Sequence, residues 1–339
     1  MPDYGAEFAD KAIDKLTRKI REVYRKAAID LQDKFADFQK RHAKKGKEMF
    51  DKLTNGEITQ AEYHTWMRNE VFIGKQWKNK VDSAVRMLDT ANIQCAKIIR
   101  KDRMSVFAEN YNYEAYKLEK QLRGVVNFNI YNERAVEKLI KKNPKMLPEW
   151  KIKERKDYAW NRQKVENAIT QGIIQGKRID DITDNLVDTL CTANDSKMRT
   201  FARTAVTGAQ NAGRQAQMHD AEDMGIKVMK QWVATLDDRT RDTHQRLDGE
   251  KVPVDEPFEI DGMEIMFPGD PNAEAELVYN CRCTMVEVYE GIESKSVRRA
   301  YEDLDERDED DPQYGKRNSY LVEDMTYTEW KKWKEGRKH

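Results

Sequence analysis

The most informative stretch for this fold is 232-WVATLDDRTRDTHQRLDG-249, which is followed by 280-NCRC-283. Short runs of β-branched, aromatic or Met residues surround these segments, at 228–233, 258–260, 264–267 and 284–289. Runs of this kind predict short β-strands, and the pair Asp261-Gly262 predicts a hairpin turn between two of them. We therefore expect a short antiparallel sheet in this part of the chain.

Helices are predicted directly before this sheet. One covers 165–174 and ends near Gly176, and the next has its apolar face between residues 179 and 190. A third covers 198–222, and one of its faces carries very small side chains, which allow another backbone to approach closely. We expect this third helix in the middle of the domain. Its small residues are Ala202, Ala205, Ala209, Ala212, Gly213 and Ala216.

The N-terminal third of the chain has the apolar spacing of long amphipathic helices. One is predicted from residue 6 to about residue 45 and another from residue 72 to about residue 122. Asn55-Gly56 separates them, and Thr59 is placed to cap a further helix. The apolar stripe of the first helix must face a later helix of this chain or, as a coiled coil, the same helix of a neighbouring subunit.

Together these patterns predict an α+β protein that is mainly helical. A long N-terminal helical arm or hairpin, residues 1–123, precedes a basic linker region at 124–162, where Pro144 and Pro148 weaken the periodicity. A smaller α+β domain at 163–290 contains the short antiparallel sheet. We expect a charged tail at 291–339, with an acidic run and a short aromatic helix that includes Trp330 and Trp333.

The overall charge of the chain does not indicate a partner, because 61 basic and 61 acidic residues cancel. Local charge is segregated. Residues 138–164 hold 10 Lys or Arg against three acidic residues, whereas 302–311 holds eight acidic residues and one Arg. The basic stretch Lys138–Lys164 could contact packaged DNA, with Trp150, Tyr158 and Trp160 beside the phosphate-binding cations. A plain solvated surface is the alternative for both regions.

Neither a secretion signal nor a membrane span is expected. The N-terminal sequence MPDYGAEFADK is acidic and lacks an apolar core, and no run approaches the ~20 apolar residues that cross a bilayer. Cys95 and Cys191 are isolated in sequence and predict buried thiols in a reducing compartment.

Several polar residues occur in an order that resembles the phage Mu F-like head morphogenesis family. In that family, a helix with an Arg-Thr pair leads into a strand, then a D-x-R-T-x-x-x-H stretch, a D-G turn and a late N-C-R-C. The resemblance covers about residues 165–290. The residues of this chain at the family's positions are Arg203, Thr204, Asn211, Arg214, Asp238, Arg239, Thr240, His244, Asp248, Gly249, Asn280, Cys281, Arg282 and Cys283.

The resemblance implies a minor capsid protein that works by binding. Such a protein would join procapsid assembly at or near the portal, with portal protein and other capsid or scaffolding proteins as partners. It would be present in the host cytoplasm during assembly and then in the virion, inside the capsid near the portal. It could be carried or ejected with the DNA.

Two interpretations of the polar cluster remain open at this stage. His244, Cys281 and Cys283 could ligate zinc, because imidazole and thiolate are the ligands that zinc prefers. Alternatively, Asp238, Arg239, Asp248 and Arg282 form a buried salt-bridged network, and the two Cys are small buried apolar residues that need no cofactor.

An enzyme is the competing class of protein. A metal-dependent nuclease would be centred on Asp238, His244, Cys281 and Cys283, with Asp237 and Asn280 nearby. The sequence contains no P-loop, G-x-G-x-x-G or G-x-S-x-G motif. The charge-dense residues after Gly291 are also poor in core-forming side chains. We therefore expect no catalytic activity.

Overall fold

The computed structural model describes residues 3–147, 154–290, 297–301, 319–323, 325, 326, 328, 329 and 332. The α-helices within these residues are α1 Tyr4–Thr54, α2 Gln60–Trp66, α3 Lys75–Gln121, α4 Glu133–Lys142, α5 Glu154–Ile174, α6 Ile179–Asp223, α7 Asp242–Leu247 and α8 Ala275–Val278. The strands are β1 Val228–Val233, β2 Lys251–Pro253, β3 Phe258–Ile260, β4 Met263–Ile265, β5 Thr284–Tyr289, β6 Val297–Tyr301 and β7 Ser319–Glu323. The predicted fold class, a mainly helical α+β protein with a small antiparallel sheet, is confirmed.

The chain forms two compact units that each combine segments distant in sequence. The first unit takes in Met1–Lys15, Ile99–Trp150 and Thr200–His339, and the second takes in Leu16–Ile98 and Lys151–Arg199. The division into the consecutive segments 1–123, 124–162, 163–290 and 291–339 stays a prediction.

The second unit is a helical core in which the stripe of α1 is buried. Leu31, Phe35 and Phe38 pack in one apolar cluster with residues of α3, α5 and α6. The rings of Phe38 and Trp77 lie 5.0 Å apart. Of the two partners predicted for this stripe, the structure therefore selects later helices of the same chain.

The break after α1 follows the predicted local rules. Gly56 has a φ of +74°, and its N–H donates to the carbonyl of Leu53, which ends the helix. Thr59 then forms a complete capping box with Glu62 at the start of α2. A five-residue π-helix, Met67–Val71, continues from α2.

The boundary predicted between residues 190 and 198 was wrong, because α6 continues through it without interruption. Thr192, Asn194, Asp195 and Ser196 in this segment are weak helix formers. In the structure, the buried Asn194 amide donates to the carbonyl of Leu190 at 2.8 Å and to Asn161 Oδ1 at 2.9 Å. Tertiary packing thus satisfies a side chain that would otherwise compete with the helix.

In the first unit, the small residues of α6 allow the close backbone contacts that were predicted. A Cβ added at Gly213 would lie 2.4 Å from the carbonyl oxygen of Phe107 on α3. A Cβ added at Gly208 would lie 2.4 Å from the carbonyl oxygen of Gly269, in a loop after β4. Glycine is required at both points because any side chain would displace main chain.

The main sheet of the first unit has the strand order β2-β1-β5, and its pairs are antiparallel. Trp232 of β1 pairs with Met285 of β5, and both side chains are buried. The predicted hairpin is β3-β4, with Asp261 and Gly262 both at positive φ. The short elements β2, α7 and α8 were not predicted, and neither was the antiparallel pair β6-β7, which lies within the predicted tail.

Several predicted features fall outside the described residues. They are the acidic run at 302–311, the ring pair Trp330 and Trp333, and part of the basic stretch, including Trp150 and the side chain of Tyr158. Residues 133–142 of the predicted linker region form the helix α4. None of the described helices is long and apolar enough to cross a membrane.

Gly213→Ala should destabilise the protein, although alanine is the better helix former. The gain in helix propensity is about 1 kcal/mol, whereas forcing a methyl group against the Phe107 carbonyl costs about 1–3 kcal/mol and also separates the two helices. Gly46→Ala is the control, because its Cβ would meet only the flexible end of the Ile179 side chain. Urea denaturation should show a clear loss of stability for Gly213→Ala alone. Equal stability of the two variants would contradict the close contact.

Candidate functional site

The loop after β1 is organised by the carboxylate of Asp237. Its Oδ1 accepts hydrogen bonds from the Arg239 N–H and the Thr240 hydroxyl, both at 3.1 Å. Arg282 forms an ion pair with the same carboxylate, and its Nη2 donates to Oδ1 at 2.8 Å. Asp237 is fully buried and Arg282 is largely so. The pair therefore ties the 237–240 turn to the N-C-R-C segment.

Asp237 titrates at a lower pH than an ordinary carboxyl group. Burial opposes its ionisation, but hydrogen bonds and charge attraction from Arg282, together with the bonds from Arg239 and Thr240, outweigh burial and lower the pKa. Stabilisation from this group is therefore present above the ordinary pKa of about 3.8, and it is lost as the pH falls through the lowered pKa of the folded state.

The predicted network of Asp238, Arg239, Asp248 and Arg282 is only partly buried. Asp238 and Arg239 are exposed, and the buried carboxylate that pairs with Arg282 belongs to Asp237. Asp248 lies at the end of α7 and accepts the Ala234 N–H at 2.7 Å. Adjacent aspartates cannot be ranked by burial from sequence, since the turn that orients them is set by contacts made far along the chain.

Gly249 and Asn280 occupy special backbone positions. Gly249 has a φ of +85°, and its N–H donates to the Trp232 carbonyl at 2.9 Å. Asn280 has a φ of +57°, which asparagine tolerates better than most residues, and its side chain is exposed. Both residues shape turns at the ends of the site.

Side chains of α6 hold the N-C-R-C segment through its backbone; Thr204 and Asn211 among them were predicted, and Thr207 was not. The Thr204 hydroxyl accepts the Asn280 N–H at 3.1 Å, and the Thr207 hydroxyl donates to the Cys281 carbonyl at 3.0 Å. Asn211 is fully buried, and its amide contacts several backbone groups at the start of β5. One face of α6 therefore fixes the position of residues 280–285.

Arg214 lies one turn further along α6 in a buried ionic cluster. Its Nη1 donates to the Met285 carbonyl at 2.9 Å, and its Nη2 pairs with Asp3 at 2.5 Å. Its Nε lies 3.4 Å from the buried carboxylate of Glu114. Burial, followed by the nearby charge of Glu287, raises the pKa of Glu114 to about 8.

Sequence analysis did not find the partners of Arg214. Glu114 and Lys117 are three residues apart on α3, a spacing that places them on one helix face, and Lys117 also pairs with Glu287 at 2.7 Å. Only the helical spacing of Glu114 and Lys117 was visible in sequence, and such pairs are common on solvated helices.

His244, Cys281 and Cys283 come together as a buried cluster. The imidazole Nδ1 lies 3.3 Å from the sulfur of Cys283 and 3.7 Å from the sulfur of Cys281. All three donor atoms lie within 4.8 Å of one another. Burial opposes ionisation of Cys283, but hydrogen bonds with Cys281 and His244 lower its pKa. The hydrogen bond with Cys283, together with burial, raises the pKa of Cys281. The predicted metal ligands thus meet at one point.

A cavity of about 250 Å³ opens beside this cluster. Its walls are polar and rich in cationic side chains, and Asp237 and Asp238 do not line it. The lining residues are Arg203, Thr235, Arg239, Thr240, Arg241, His244, Asn280, Cys281, Arg282 and Cys283. Asp237, one of the aspartates named for the predicted nuclease, instead binds Thr240 and Arg282 of the cavity wall.

The residues described above lie in a region that matches a known family model. Residues 163–286 match the model described as Phage Mu protein F like protein. This region belongs to that family. The resemblance found from the sequence motifs is confirmed, with nearly the same boundaries. No solved structure matches the chain.

Three curated relatives show how far the likeness extends. The chain is 27% identical over 296 residues to the Minor head protein GP7 of Bacillus phage SPP1, a match that covers 85% of this chain and 86% of that protein. It is 38% identical over 130 residues to the NAD(+)--arginine ADP-ribosyltransferase EFV of Enterococcus faecalis, covering 38% of this chain and 26% of that protein. It is 31% identical over 146 residues to the uncharacterized protein YqbB of Bacillus subtilis, covering 42% of this chain and 46% of that protein.

Asp237→Asn should destabilise the fold by about 1–3 kcal/mol at neutral pH, because it leaves the Arg282 guanidinium without its ionic partner. The difference from the unsubstituted protein should shrink as the pH falls below the ordinary carboxyl range, where Asp237 itself becomes protonated. Denaturant titrations at a series of pH values measure this. An exposed aspartate at the end of α6 supplies the control: Asp223→Asn should change stability by less than about 0.5 kcal/mol. A larger effect at position 223 than at 237 would contradict the assignment.

Proposed function

We propose that this protein is a phage minor head protein that acts in head morphogenesis and becomes a component of the virion. The observation that supports this most strongly is the match to the Minor head protein GP7, which runs over most of both chains. The family match at 163–286 points to the same class of protein. The protein would act through binding, with portal protein and other capsid or scaffolding proteins as its partners.

The match to the ADP-ribosyltransferase has less weight for function. It covers 26% of that protein, so the greater part of the relative has no counterpart in the match. A region shared by proteins with such different names is more consistent with a common binding or assembly role than with the transferase chemistry itself.

The partner surface is proposed to lie in the loop between α3 and α4. This loop exposes two large apolar side chains, Val125 at 84% and Ile130 at 85%. Exposed large apolar side chains on a folded surface are candidates for protein interfaces. The apolar stripe of α1 is a weaker candidate, because Leu31, Phe35 and Phe38 are buried within the second unit.

Hydrogen bonds to α3 anchor this loop near Phe128 and Tyr131. The Phe128 side chain is buried, and its N–H donates to Glu119 at 2.7 Å. Asn112 of α3 exchanges two hydrogen bonds of 2.8 Å with the backbone of Tyr131. A loop held at both points presents Val125 and Ile130 in a fixed position, which reduces the entropy lost when a partner binds.

Contact with packaged DNA through Lys138–Lys164 is a secondary part of the proposal. Trp160 is half-buried, and the amino groups of Lys164 and Lys197 lie 5.5 Å and 5.3 Å from its ring centre. Lysines on an aromatic ring can also contact phosphate, as in other single-strand binding surfaces. This contact would fit a protein that stays near the genome or leaves the head with it.

Val125→Ser together with Ile130→Ser should reduce recovery of portal protein with the tagged chain, and should reduce its incorporation into heads. Complementation of a phage that lacks the gene, followed by mass spectrometry of purified heads, measures both effects. Because both side chains are exposed, the free energy of unfolding should change by less than about 0.5 kcal/mol per site. Met224→Ser, at another exposed apolar position, is the matched control and should leave incorporation unchanged.

Three results would contradict the proposal at different levels. Normal portal recovery and incorporation of the double variant would move the partner surface away from this loop. Absence of the unsubstituted protein from heads and virions would contradict the head role itself. DNA cleavage by the purified protein, abolished by His244→Ala, would instead favour the nuclease.

A further inference from the structure

The buried cluster of His244, Cys281 and Cys283 has the geometry of a metal site. Zinc bonds of ~2.3 Å to sulfur and ~2.0 Å to nitrogen, in tetrahedral arrangement, separate a nitrogen and a sulfur ligand by ~3.5 Å. The two observed separations from His244 Nδ1, 3.3 Å and 3.7 Å, lie on either side of this value. The Cys281 sulfur also accepts the backbone N–H of Cys283 at 3.4 Å, so the fold itself holds both sulfurs within ligand distance of the same imidazole nitrogen.

The three ligands are held in place by contacts that do not involve a metal. Thr207 donates to the carbonyl of Cys281, and the Thr235 hydroxyl donates to the carbonyl of Arg282 at 2.7 Å. The ring of His244 packs edge-on against Trp232, with centroids 5.4 Å apart and planes at 77°. The donors are therefore positioned before an ion arrives, which lowers the entropic cost of binding.

The fourth position of such a site faces the arginine-lined cavity. Among the described residues, the cluster contains no fourth His, Cys, Asp or Glu, and all three ligands line the cavity wall. Zinc with two thiolates and one neutral imidazole carries no net charge, and four arginines line the cavity, namely Arg203, Arg239, Arg241 and Arg282, of which Arg282 is paired with Asp237. These cations favour an anion or a polarised water as the fourth ligand.

We propose that His244, Cys281 and Cys283 bind one zinc ion whose fourth coordination position opens into this cavity and takes a water molecule or a small anion. The ion links α7 to the segment that leads into β5, two parts of the first unit. The open position distinguishes it from a closed structural site with four protein ligands. The zinc site does not depend on the proposed head function, and either can fail without the other.

The metal content of the full-length protein tests the site. Protein purified under reducing conditions, without an affinity tag that binds metal, should contain about one zinc per chain by elemental analysis, as a single three-ligand site requires. Cys281→Ser and Cys283→Ser should lower the zinc content to that of the buffer. Cys191→Ser removes a buried thiol of the second unit and should leave the zinc content unchanged.

A second measurement keeps the test valid if the cysteine variants fail to fold. The unsubstituted protein, stripped with a chelator and reloaded with cobalt(II), should show thiolate-to-cobalt charge-transfer absorption and the visible bands of tetrahedral cobalt. Addition of inorganic phosphate or azide should shift the visible bands, because the fourth ligand exchanges.

Each result bears on a separate part of the proposal. Absence of both zinc and the cobalt–thiolate absorption in folded, reduced protein would overturn the site. Zinc retained in Cys281→Ser and Cys283→Ser would overturn the ligand assignment. Cobalt bands that do not respond to either anion would overturn the open position.

Discussion

The side-chain amide of Asn211 is the contact on which the geometry of the first unit depends. Its Nδ2 donates to the carbonyls of Thr207 and Pro268 at 2.9 Å and 3.0 Å, and its Oδ1 accepts the Met285 N–H at 3.0 Å. One fully buried side chain therefore joins α6 to a loop and to the first residues of β5. An apolar residue of similar size would leave the Pro268 carbonyl and the Met285 N–H without this partner, at a cost of about 1–3 kcal/mol each.

Neighbouring residues of α6 make further contacts with the same segments. Gly208 allows the loop at Gly269 to touch the helix, and Thr204 and Thr207 bind the backbone at residues 280 and 281. These contacts fix Cys281 and Cys283 opposite His244, and they place Arg282 beside Asp237. Several motif residues of this chain thus position one another, and a cavity lies beside them.

The sequence predicted what depends on local spacing. The long helices, the Asn55-Gly56 break, the capping by Thr59 and the Asp261-Gly262 hairpin could be predicted because each is determined within a few residues. The continuity of α6 could not, since Asn194 finds its partners only in the folded unit. The same limit applied to the site. The candidate ligands were recognisable in the D-x-R-T-x-x-x-H and N-C-R-C segments. The choice of Asp237 over Asp238 was not, because it depends on a turn and on an arginine far along the chain.

Segment-resolved hydrogen exchange of Asn211→Leu tests most directly whether α6 holds the N-C-R-C segment in place. If the amide of Asn211 has this role, backbone amides at 281–286 should exchange at least about tenfold faster than in the unsubstituted protein, as expected for a loss of more than about 1.4 kcal/mol of local stability. The β3-β4 hairpin makes no contact with Asn211 among the described hydrogen bonds and should keep its protection, which separates local opening from global unfolding. Unchanged exchange at Met285 would contradict this account of the fold.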